Sequence, residues 1–426
     1  MKRDIKVLSV CTNDSYGGAA KAAFRIHQAV KNYGIDSLMF VKNKATTGQD
    51  VIALENFIPR HPFFRAINWF REKIENKKQL YLWRRYSKRS VNYMSDLRSV
   101  EVYDALNQID FDILHLHWIN SRFLPLDKLP KDKPIVWTLH DSWPFCGICH
   151  YFLDCTKYTS GCGACPHLSS SQVNDLSRMV WKKKQKYYRD LDLHIVAPSR
   201  WLAECAGRSL LFKGRPISVI PNCLDTETFR PLSEVEIIPG MLSLKEHFLG
   251  KAIILIGAVS ISTDRIKGMS VFIKALHHLE MQGFADRIGV IIFGSDDLIE
   301  GLPTSIASFQ TGYLKDATEL VSLYNIASVI VVPSFTEVFG QVASEAMSCG
   351  KPVVAFRCTG IQEVVDDDCG YLAEPYDSDD FARGILWCLD KNQDGHLSSN
   401  ARKKVLDRYS PTVVGKRYAE LYRRLA

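Results

Sequence analysis

The sequence has no hydrophobic run long enough to cross a membrane. A membrane-spanning helix needs about 18 consecutive apolar residues, and no run in the 426 residues approaches that length. A signal-peptide pattern is also missing, because Ile5 to Cys11 form a short, lysine-flanked apolar run that predicts a β-strand. We therefore expect a cytoplasmic protein.

Cysteine is too sparse for a disulfide-rich secreted scaffold, since the chain has twelve cysteines in 426 residues. Seven are scattered singly, and we expect these to be small buried thiols. The other five lie between Cys146 and Cys165, in a segment rich in glycine and aromatic residues. In a reducing compartment such thiols are expected to be free or to bind metal.

Four of the clustered cysteines have spacings that could place them around one zinc ion. The pattern is Cys146-x2-Cys149-x5-Cys155-x6-Cys162-x2-Cys165, and structural zinc takes four tetrahedral ligands. We predict structural zinc on Cys149, Cys155, Cys162 and Cys165, with Cys146 left over. Unligated thiols and redox pairing are the alternatives.

Positive charge is concentrated in one segment. The formal net charge is +7, while residues 60–89 hold ten Lys and Arg against two Glu, a local excess of +8. Aromatic residues such as Phe70, Tyr81 and Trp83 alternate with the basic ones. A helix of this kind is typical of membrane interfaces, so we predict peripheral contact with anionic lipid at the inner face of the plasma membrane. Nucleic acid binding and a helix packed on its own domain are the alternatives.

The order of predicted elements indicates an α/β protein with two doubly wound, Rossmann-like domains. Strand and helix patterns alternate in the first half, beginning with a strand at 6–11 and a helix at 19–33, and alternate again from a strand at 252–258. Such alternation predicts parallel sheets covered by helices. We place the N-terminal domain at 1–225, the C-terminal domain at 226–405, and a last helix at 406–426 that crosses back to the N-terminal domain.

The most informative segment runs from Pro333 to Met347, from a strand end through a loop into a predicted helix. It places Glu337 in the loop and Glu345 in the helix. Backbone N–H groups at the helix start, near Gly340 and Gln341, suit a diphosphate. A glutamate farther along the helix could accept the paired hydroxyl hydrogen bonds that a ribose offers.

This pair of glutamates, with seven residues between them, resembles the signature of retaining glycosyltransferases of the GT-B fold, in the large family 4 that includes many bacterial polysaccharide enzymes. The resemblance extends over nearly the whole chain. The other motifs that carry it are Gly17-Gly18-Ala19, Thr138-Leu139-His140-Asp141, Ile220-Pro221-Asn222, Lys267-Gly268 and Gly350-Lys351-Pro352-Val353. It implies two Rossmann-like domains that face a central cleft.

The resemblance also implies roles for the matched residues. Glu337 would contact the hydroxyls of the donor sugar, Glu345 the ribose, and His140 the transferred sugar at the reaction centre. Further donor-binding positions are Gly17, Gly18, Tyr313, Phe339, Gly340 and Gln341. We expect Glu345 and Lys267 to lie on exposed surfaces, and His115 and His117 to be core or supporting residues.

Lys267, with Arg265, would neutralise the leaving diphosphate, because preorganised cations lower the barrier as charge builds up on the β-phosphate. The chain departs from the family pattern here, since the usual arginine would stand where Val259 and Ser260 are. Arg265 is the candidate replacement, and a solvated turn at Arg265 and Lys267 is the alternative. The acidic run at 366–368 is expected to be a surface turn. The resemblance thus implies metal-independent catalysis without a catalytic cofactor.

The sequence therefore predicts a retaining hexosyltransferase-type enzyme of cell-surface polysaccharide biosynthesis. It would move a sugar from a nucleotide diphosphate-sugar donor to a saccharide or lipid-linked acceptor, and we expect no nucleic acid partner. Because no side chain in the sequence compels a covalent intermediate, front-face attack would fit retention. A sugar-nucleotide epimerase of the same fold and a basic nucleic-acid-binding protein are the alternatives.

Overall fold

The chain forms two compact units, each with its own parallel sheet. The computed structural model describes residues 5–57, 62–89, 102–121, 123–257, 265–314 and 316–426. The first unit comprises Met1–Ala197, Ala203–Val219 and Tyr418–Ala426, and the second Pro198–Leu202 and Ile220–Arg417. The division therefore falls between residues 219 and 220, and residues 198–202 join the second unit.

The part of the chain before residue 220 supplies the seven strands of the first sheet. Its elements are β1 (Ile5–Asn13), α1 (Gly18–Lys31), β2 (Ile35–Asn43), β3 (Val51–Ala53), α2 (Pro62–Arg85), α3 (Val102–Asn107), β4 (Ile113–Leu116), β5 (Ile135–Thr138), α4 (Leu176–Tyr188), β6 (Leu193–Ala197), α5 (Arg200–Arg208) and β7 (Ile217–Val219). The strand order is β3-β2-β1-β4-β5-β6-β7. All neighbouring strands pair in parallel.

The remaining chain supplies a six-stranded sheet and ends in a run of helices. Its elements are α6 (Pro239–His247), β8 (Ala252–Gly257), α7 (Met269–Met281), β9 (Ile288–Phe293), β10 (Ala307–Gly312), α8 (Ala317–Ile326), β11 (Val329–Val332), α9 (Gln341–Ser348), β12 (Val353–Phe356), β13 (Gly370–Ala373), α10 (Ser378–Lys391), α11 (His396–Tyr409) and α12 (Pro411–Leu425). The order is β10-β9-β8-β11-β12-β13, again all parallel.

The sheets confirm the predicted doubly wound architecture. Inner strands such as β4, β5, β11 and β12 are buried at every position. Strands buried on both faces need continuous apolar side chains, and the sequence supplies such runs there. The segment at 366–368 leads from a turn directly into β13, as expected for a turn between elements.

Three strands that the sequence pattern does not predict all lie at sheet edges. They are β3 at one end of the first sheet, and β10 and β13 at the two ends of the second. The residues of β10 are partly or fully exposed, and β3 and β13 have only three and four residues. Short or half-exposed strands lack the long apolar run by which inner strands are recognised.

The C-terminal residues of α12 belong to the first unit. Tyr418 and Tyr422 are fully buried. The Tyr418 hydroxyl lies 2.9 Å from Thr138 Oγ1, at the end of β5, and Tyr422 Oη lies 2.7 Å from His115 Nδ1 in β4. The end of the chain is thus tied by side-chain hydrogen bonds to two central strands.

The basic segment forms α2, on which several large apolar side chains are exposed. Among the described side chains, Trp69, Phe70, Ile74 and Tyr81 are each more than half exposed. Tyr86, just after the helix, is buried, and its hydroxyl accepts the Leu176 N–H at 3.2 Å. In the described part of the chain, no helix combines the length and the apolar composition needed to traverse a bilayer.

Candidate active site

The loop between β11 and α9 is held by backbone contacts to neighbouring loops at the carboxyl end of the second sheet. Gly360 N–H donates to Glu337 O at 2.8 Å, and Glu337 N–H donates to Thr359 Oγ1 at 3.0 Å. Ser199 Oγ donates to Val338 O at 2.8 Å. A side chain at Gly360 would bring its Cβ within 2.3 Å of Val338 O. This loop is therefore fixed on both sides.

A lysine and a glutamate form an ion pair beside this loop. Lys267 Nζ lies 2.8 Å from Glu337 Oε1, and the two side chains keep 19% and 18% of their surface exposed. The close approach depends on Gly268, which has φ 71°; a Cβ there would lie 1.8 Å from Pro333 O. Glycine alone fits this position, so the Lys267-Gly268 motif has a steric reason.

Arg265 is the other cation predicted next to Lys267, and the structure describes its backbone only. Arg265 begins a 3₁₀ turn that ends at Lys267, but the side chain of Arg265 lies outside the described residues, as do Val259 and Ser260. The Phe335 N–H donates to Ile266 O at 2.8 Å. This bond ties the turn to the Glu337 loop, so the backbone of Arg265 lies close to it.

The start of α9 has the features of an anion site. Gly340 precedes the helix in a left-handed conformation, with φ 95°, and none of the described side chains caps the first turn. The first N–H groups of a helix have no partner within the helix and carry partial positive charge. Gln341 Nε2 is a buried donor without a partner among the described residues. Phe339, just before the helix, is buried and packs against Tyr409.

Glu345 lies inside the second unit, so the expectation that it is exposed was wrong. It retains 4% of its surface, and the Tyr324 hydroxyl donates to Glu345 Oε2 over 3.4 Å. The cause is the position of α9 itself, because residues 343–348 are buried on every face of the helix. Lys267 is likewise less exposed than expected.

In the first unit, two histidines follow adjacent strands and contact each other. His117 Nδ1 lies 3.0 Å from His140 Nε2, and their rings stack with centroids 5.3 Å apart. Burial lowers the pKa of His140 to about 4, against the opposing effect of Asp141. His140 is therefore neutral at pH 7. His117 and His115 are fully buried, as expected of core or supporting residues.

The next residue, Asp141, organises the loop after β5. Its carboxylate accepts hydrogen bonds from Trp118 Nε1 at 2.9 Å and from Trp143 N at 2.9 Å, and lies 2.5 Å from His150 Nδ1. Burial would raise the pKa of Asp141, but the His150 charge and these hydrogen bonds outweigh it and lower the pKa. Sequence reasoning missed His150, although it adjoins Cys149 in the cysteine cluster.

Three further positions that the resemblance assigns to donor binding have simple local roles. Gly17 precedes α1 with φ 85°, and Gly18 is the first residue of that helix in the first unit. Tyr313 follows β10 in the second unit with half of its surface exposed, and its N–H donates to Asp296 Oδ1 at 3.1 Å. The second unit thus brings Lys267, Glu337, Gly340 and Gln341 into one region, while Gly17, Gly18 and His140 belong to the first.

All five clustered cysteines line one small cavity in the first unit, together with Phe152, Lys157, Tyr158, Gly163 and Ser177. The thiols are free, and three of them, Cys146, Cys149 and Cys165, are buried. Across the described residues, no group of three or more histidine, cysteine or acidic side chains is already arranged as metal ligands. The zinc assignment thus stays a prediction.

Two family models match the chain, one in each half. "Glycosyltransferase Family 4" matches residues 16–228, and "Glycosyl transferases group 1" matches residues 252–404. These matches cover the Gly17-Gly18 and His140 motifs and the two-glutamate segment.

Similar proteins include two bacterial transferases. Escherichia coli (strain K12) WcaC, named as a glycosyl transferase of colanic acid biosynthesis, is 24% identical over 83% of this chain and 84% of its own. The lipopolysaccharide 1,2-N-acetylglucosaminetransferase of Salmonella typhimurium is 28% identical over 54% of this chain and 62% of its own.

Solved structures confirm the fold. Anabaena HepE, in complex with UDP and glucose, has a TM-score of 0.62 at 17% identity, covering 99% of this chain and all of its own. The predicted GT-B fold is thereby confirmed.

Proposed function

Since this chain belongs to glycosyltransferase family 4, we propose that it is a retaining enzyme that uses a nucleotide diphosphate-sugar donor and needs no catalytic metal. The observation that carries this proposal is the Lys267–Glu337 ion pair, in which Glu337 lies four residues before the first residue of α9. The ion pair and the start of α9 together supply a cation, a carboxylate and helix N–H groups in one region. A sugar diphosphate needs these three kinds of group.

The diphosphate would bind at the start of α9. Helix N-termini attract phosphate because their N–H groups and the helix dipole both favour negative charge. Gln341 Nε2, a buried donor without a described partner, offers one more hydrogen bond. Lys267 would then stabilise the charge that develops as the diphosphate leaves. These groups would do the work that a metal ion does in other transferases.

Glu337 would accept hydrogen bonds from hydroxyls of the donor sugar. Its loop is fixed by Thr359, Gly360 and Ser199, so the carboxylate is held before the donor arrives, and preorganised groups lose little freedom on binding. Glu345 would bind the ribose. Because Glu345 is buried next to Tyr324, that contact would need only one carboxylate oxygen to face the ligand.

His140 would contact the transferred sugar, as the family resemblance implies. Its Nε2 is engaged by His117, so Nδ1 is the nitrogen left for a hydroxyl. As a neutral imidazole at pH 7, His140 could share a hydrogen bond without placing a positive charge near an oxocarbenium-like centre. Retention would follow from front-face attack, in which the leaving phosphate takes the acceptor proton.

The acceptor is proposed to be a saccharide or a lipid-linked glycan of cell-surface polysaccharide synthesis. This rests on the relatives named for colanic acid and lipopolysaccharide. The UDP complex of the structural neighbour HepE makes UDP-sugars the first donors to test. A peripheral, cytoplasmic location at an anionic membrane would bring such an enzyme to a lipid-linked acceptor.

The decisive experiment is turnover with a panel of UDP-, GDP- and ADP-sugars, with and without glycan acceptors. We expect nucleoside diphosphate release that requires an acceptor, and a product whose anomeric configuration by NMR is that of the donor. An inverted product would refute retention. Complete conversion of the donor to a new sugar nucleotide without any acceptor would instead establish an epimerase.

Full activity after a brief treatment with EDTA, which removes weakly bound Mg²⁺ and Mn²⁺, is expected as well. If activity were lost and then restored by Mg²⁺ or Mn²⁺, the proposed roles of Lys267 and of the start of α9 would be wrong.

A further inference from the structure

We propose that Cys149, Cys155, Cys162 and Cys165 bind one structural zinc ion, which orders the loop that carries Asp141 and His150 beside His140. The five cysteines of the segment surround a single cavity. Cys146 is the fifth and is not a ligand in this proposal. The inference is independent of the donor and acceptor proposed above, since it concerns how the first unit is built.

The segment between β5 and α4 has little other source of order. Residues 141–175 are all described, and they contain three short 3₁₀ turns but neither a β-strand nor an α-helix. Irregular stretches of this length are uncommon inside compact domains. A metal ion held by side chains from across such a segment can supply the missing stabilisation.

The backbone around two of the proposed ligands is unusually tight. Four consecutive residues, 161–164, have positive φ, and two of them, Cys162 at 58° and Ala164 at 43°, are not glycine. Such conformations cost free energy and persist where surrounding structure fixes them. Buried Asp175 helps by accepting the Cys165 N–H at 2.7 Å, and Ser177 Oγ accepts the Gly163 N–H at 2.9 Å.

A backbone N–H group already points at one of the sulfur atoms. Gly147 N–H donates to Cys162 Sγ at 3.3 Å. This donor fixes the position of the Cys162 sulfur, which zinc would bind as a thiolate.

The remaining two cysteines are Cys146 and Cys149, and both line the same cavity. We assign Cys149 as the fourth ligand because the spacing of Cys149, Cys155, Cys162 and Cys165 suits one zinc ion. Cys146 is the fifth sulfur and stays outside the set.

A buried lysine provides an independent indication. Lys184 has no exposed surface, and its Nζ donates to the carbonyl oxygens of Cys146 and Gly147, each at 3.0 Å, and of Trp143. Within the described residues it forms no ion pair with a carboxylate. Burial lowers the pKa of Lys184 to about 7, because a buried charge is costly unless an opposite charge balances it. A zinc ion with four thiolates is dianionic and would balance the Lys184 charge.

Zinc binding would complete the geometry. Among the described residues, the free thiols are not arranged as ligands around one point. Each thiolate would lie about 2.3 Å from the ion, so binding would contract the cavity. Ser142 connects this contraction to the site, since its N–H donates to His150 O at 2.9 Å and its Oγ donates to Cys149 O at 3.1 Å.

The test is metal content of the full-length chain, purified without a metal-affinity step and under reducing conditions. We expect about one zinc per chain by plasma mass spectrometry. Cys149→Ala and Cys162→Ala should lose it, while Cys146→Ala should keep it. Cys11→Ala, which removes a buried thiol of β1 in the same unit, is the matched control and should also keep it.

If the cysteine variants fail to fold, the proposal is tested on the wild-type protein instead. A thiol-specific mercurial should release the zinc in proportion to sulfurs modified, with a loss of tryptophan fluorescence signal from Trp143 and Trp118, while donor binding by the second unit persists. Absence of zinc, iron in its place, zinc retained by both Cys149→Ala and Cys162→Ala, or zinc lost from Cys146→Ala would each overturn the proposal. None of these outcomes bears on the transferase activity proposed above.

Discussion

His117 Nδ1 and His140 Nε2 lie 3.0 Å apart at the carboxyl ends of β4 and β5. Only one of the two nitrogens can carry the proton in this bond. Burial lowers the pKa of His140 to about 4 and that of His117 well below its usual value. The pair therefore holds both rings neutral, and protonation of either breaks the hydrogen bond or places a charge inside the unit.

Acid should destabilise the first unit through these histidines. In the unfolded chain a histidine has a pKa of about 6.5, above the folded value of about 4 for His140. The unfolded state then binds more protons between these values, so stability is complete above pH ~6.5 and falls as the pH drops toward 4. Denaturant midpoints measured across this window should show the fall, and His140→Asn should have a shallower slope. Equal slopes would contradict the shifted pKa.

Lys267→Ala should weaken the binding of nucleoside diphosphate and slow transfer. Loss of a positioned charge at a leaving group costs ~2 to 4 kcal/mol, a fall of roughly 30- to 1000-fold in kcat/KM. Calorimetry and initial rates would measure it. The matched control is Lys274→Ala, which removes an exposed lysine of α7 in the same unit. Equal effects of the two variants would remove Lys267 from the donor site.

Gly268→Ala should disrupt the Lys267–Glu337 pair. The new Cβ would lie 1.8 Å from Pro333 O, in a residue with positive φ, so the turn must move away from the Glu337 loop. Gly283→Ala separates the steric clash from the backbone strain of positive φ. Gly283 also has positive φ, but no atom lies within 4 Å of the added Cβ. We expect a cost of about 1–2 kcal/mol from positive φ in both, and a further loss of stability and donor affinity in Gly268→Ala alone.

Glu345 substitutions should separate binding from stability. Glu345→Ala leaves the buried Tyr324 hydroxyl without this acceptor, and we expect about 1–3 kcal/mol lower unfolding free energy. Glu345→Gln keeps an acceptor of the same shape, so it should fold nearly as well yet bind the donor more weakly. Exposed Glu246→Gln on α6 is the control. Normal donor affinity in Glu345→Gln would exclude a ribose contact.

The basic surface of α2 should bind anionic membranes. Its exposed Trp69, Phe70 and Tyr81 can insert at the headgroup boundary, and each nearby cation contributes on the order of 1 kcal/mol. Cosedimentation should therefore be stronger with anionic than with neutral vesicles and should fall with added salt. Changing Arg84, Arg85, Lys88 and Arg89 to Gln should reduce it.

The matched control for α2 removes four exposed positive charges from another part of the first unit. In it, Lys182, Lys183, Lys186 and Arg189, which lie in or just after α4, are changed to Gln. Equal losses in the two quadruple variants would mean a net-charge effect. Equal binding to neutral and anionic vesicles, or no binding, would make α2 a solvated basic helix without a membrane role.

The sequence by itself determined the two sheets, the family and most inner strands, because strands buried on both faces require uninterrupted apolar runs. It also located the loop with Glu337, whose neighbours resemble a family motif. The edge strands β3, β10 and β13 were not predicted, because β3 and β13 are too short to show a clear pattern and β10 is partly exposed. The helix α4 was not predicted either. Its lysines and tyrosines obscure the apolar periodicity of the buried face, on which Lys184 lies.

Tertiary structure alone decided what each side chain faces. No sequence pattern indicates that Glu345 is buried or that Pro333 O lies too close to Gly268 for a side chain to fit there. Nor does one indicate that His117 and His140 share a hydrogen bond. These facts depend on which strands are neighbours and on how loops far apart in sequence approach. The same reason applies to Lys184, whose carbonyl partners lie some forty residues away along the chain and become neighbours only when the first sheet forms.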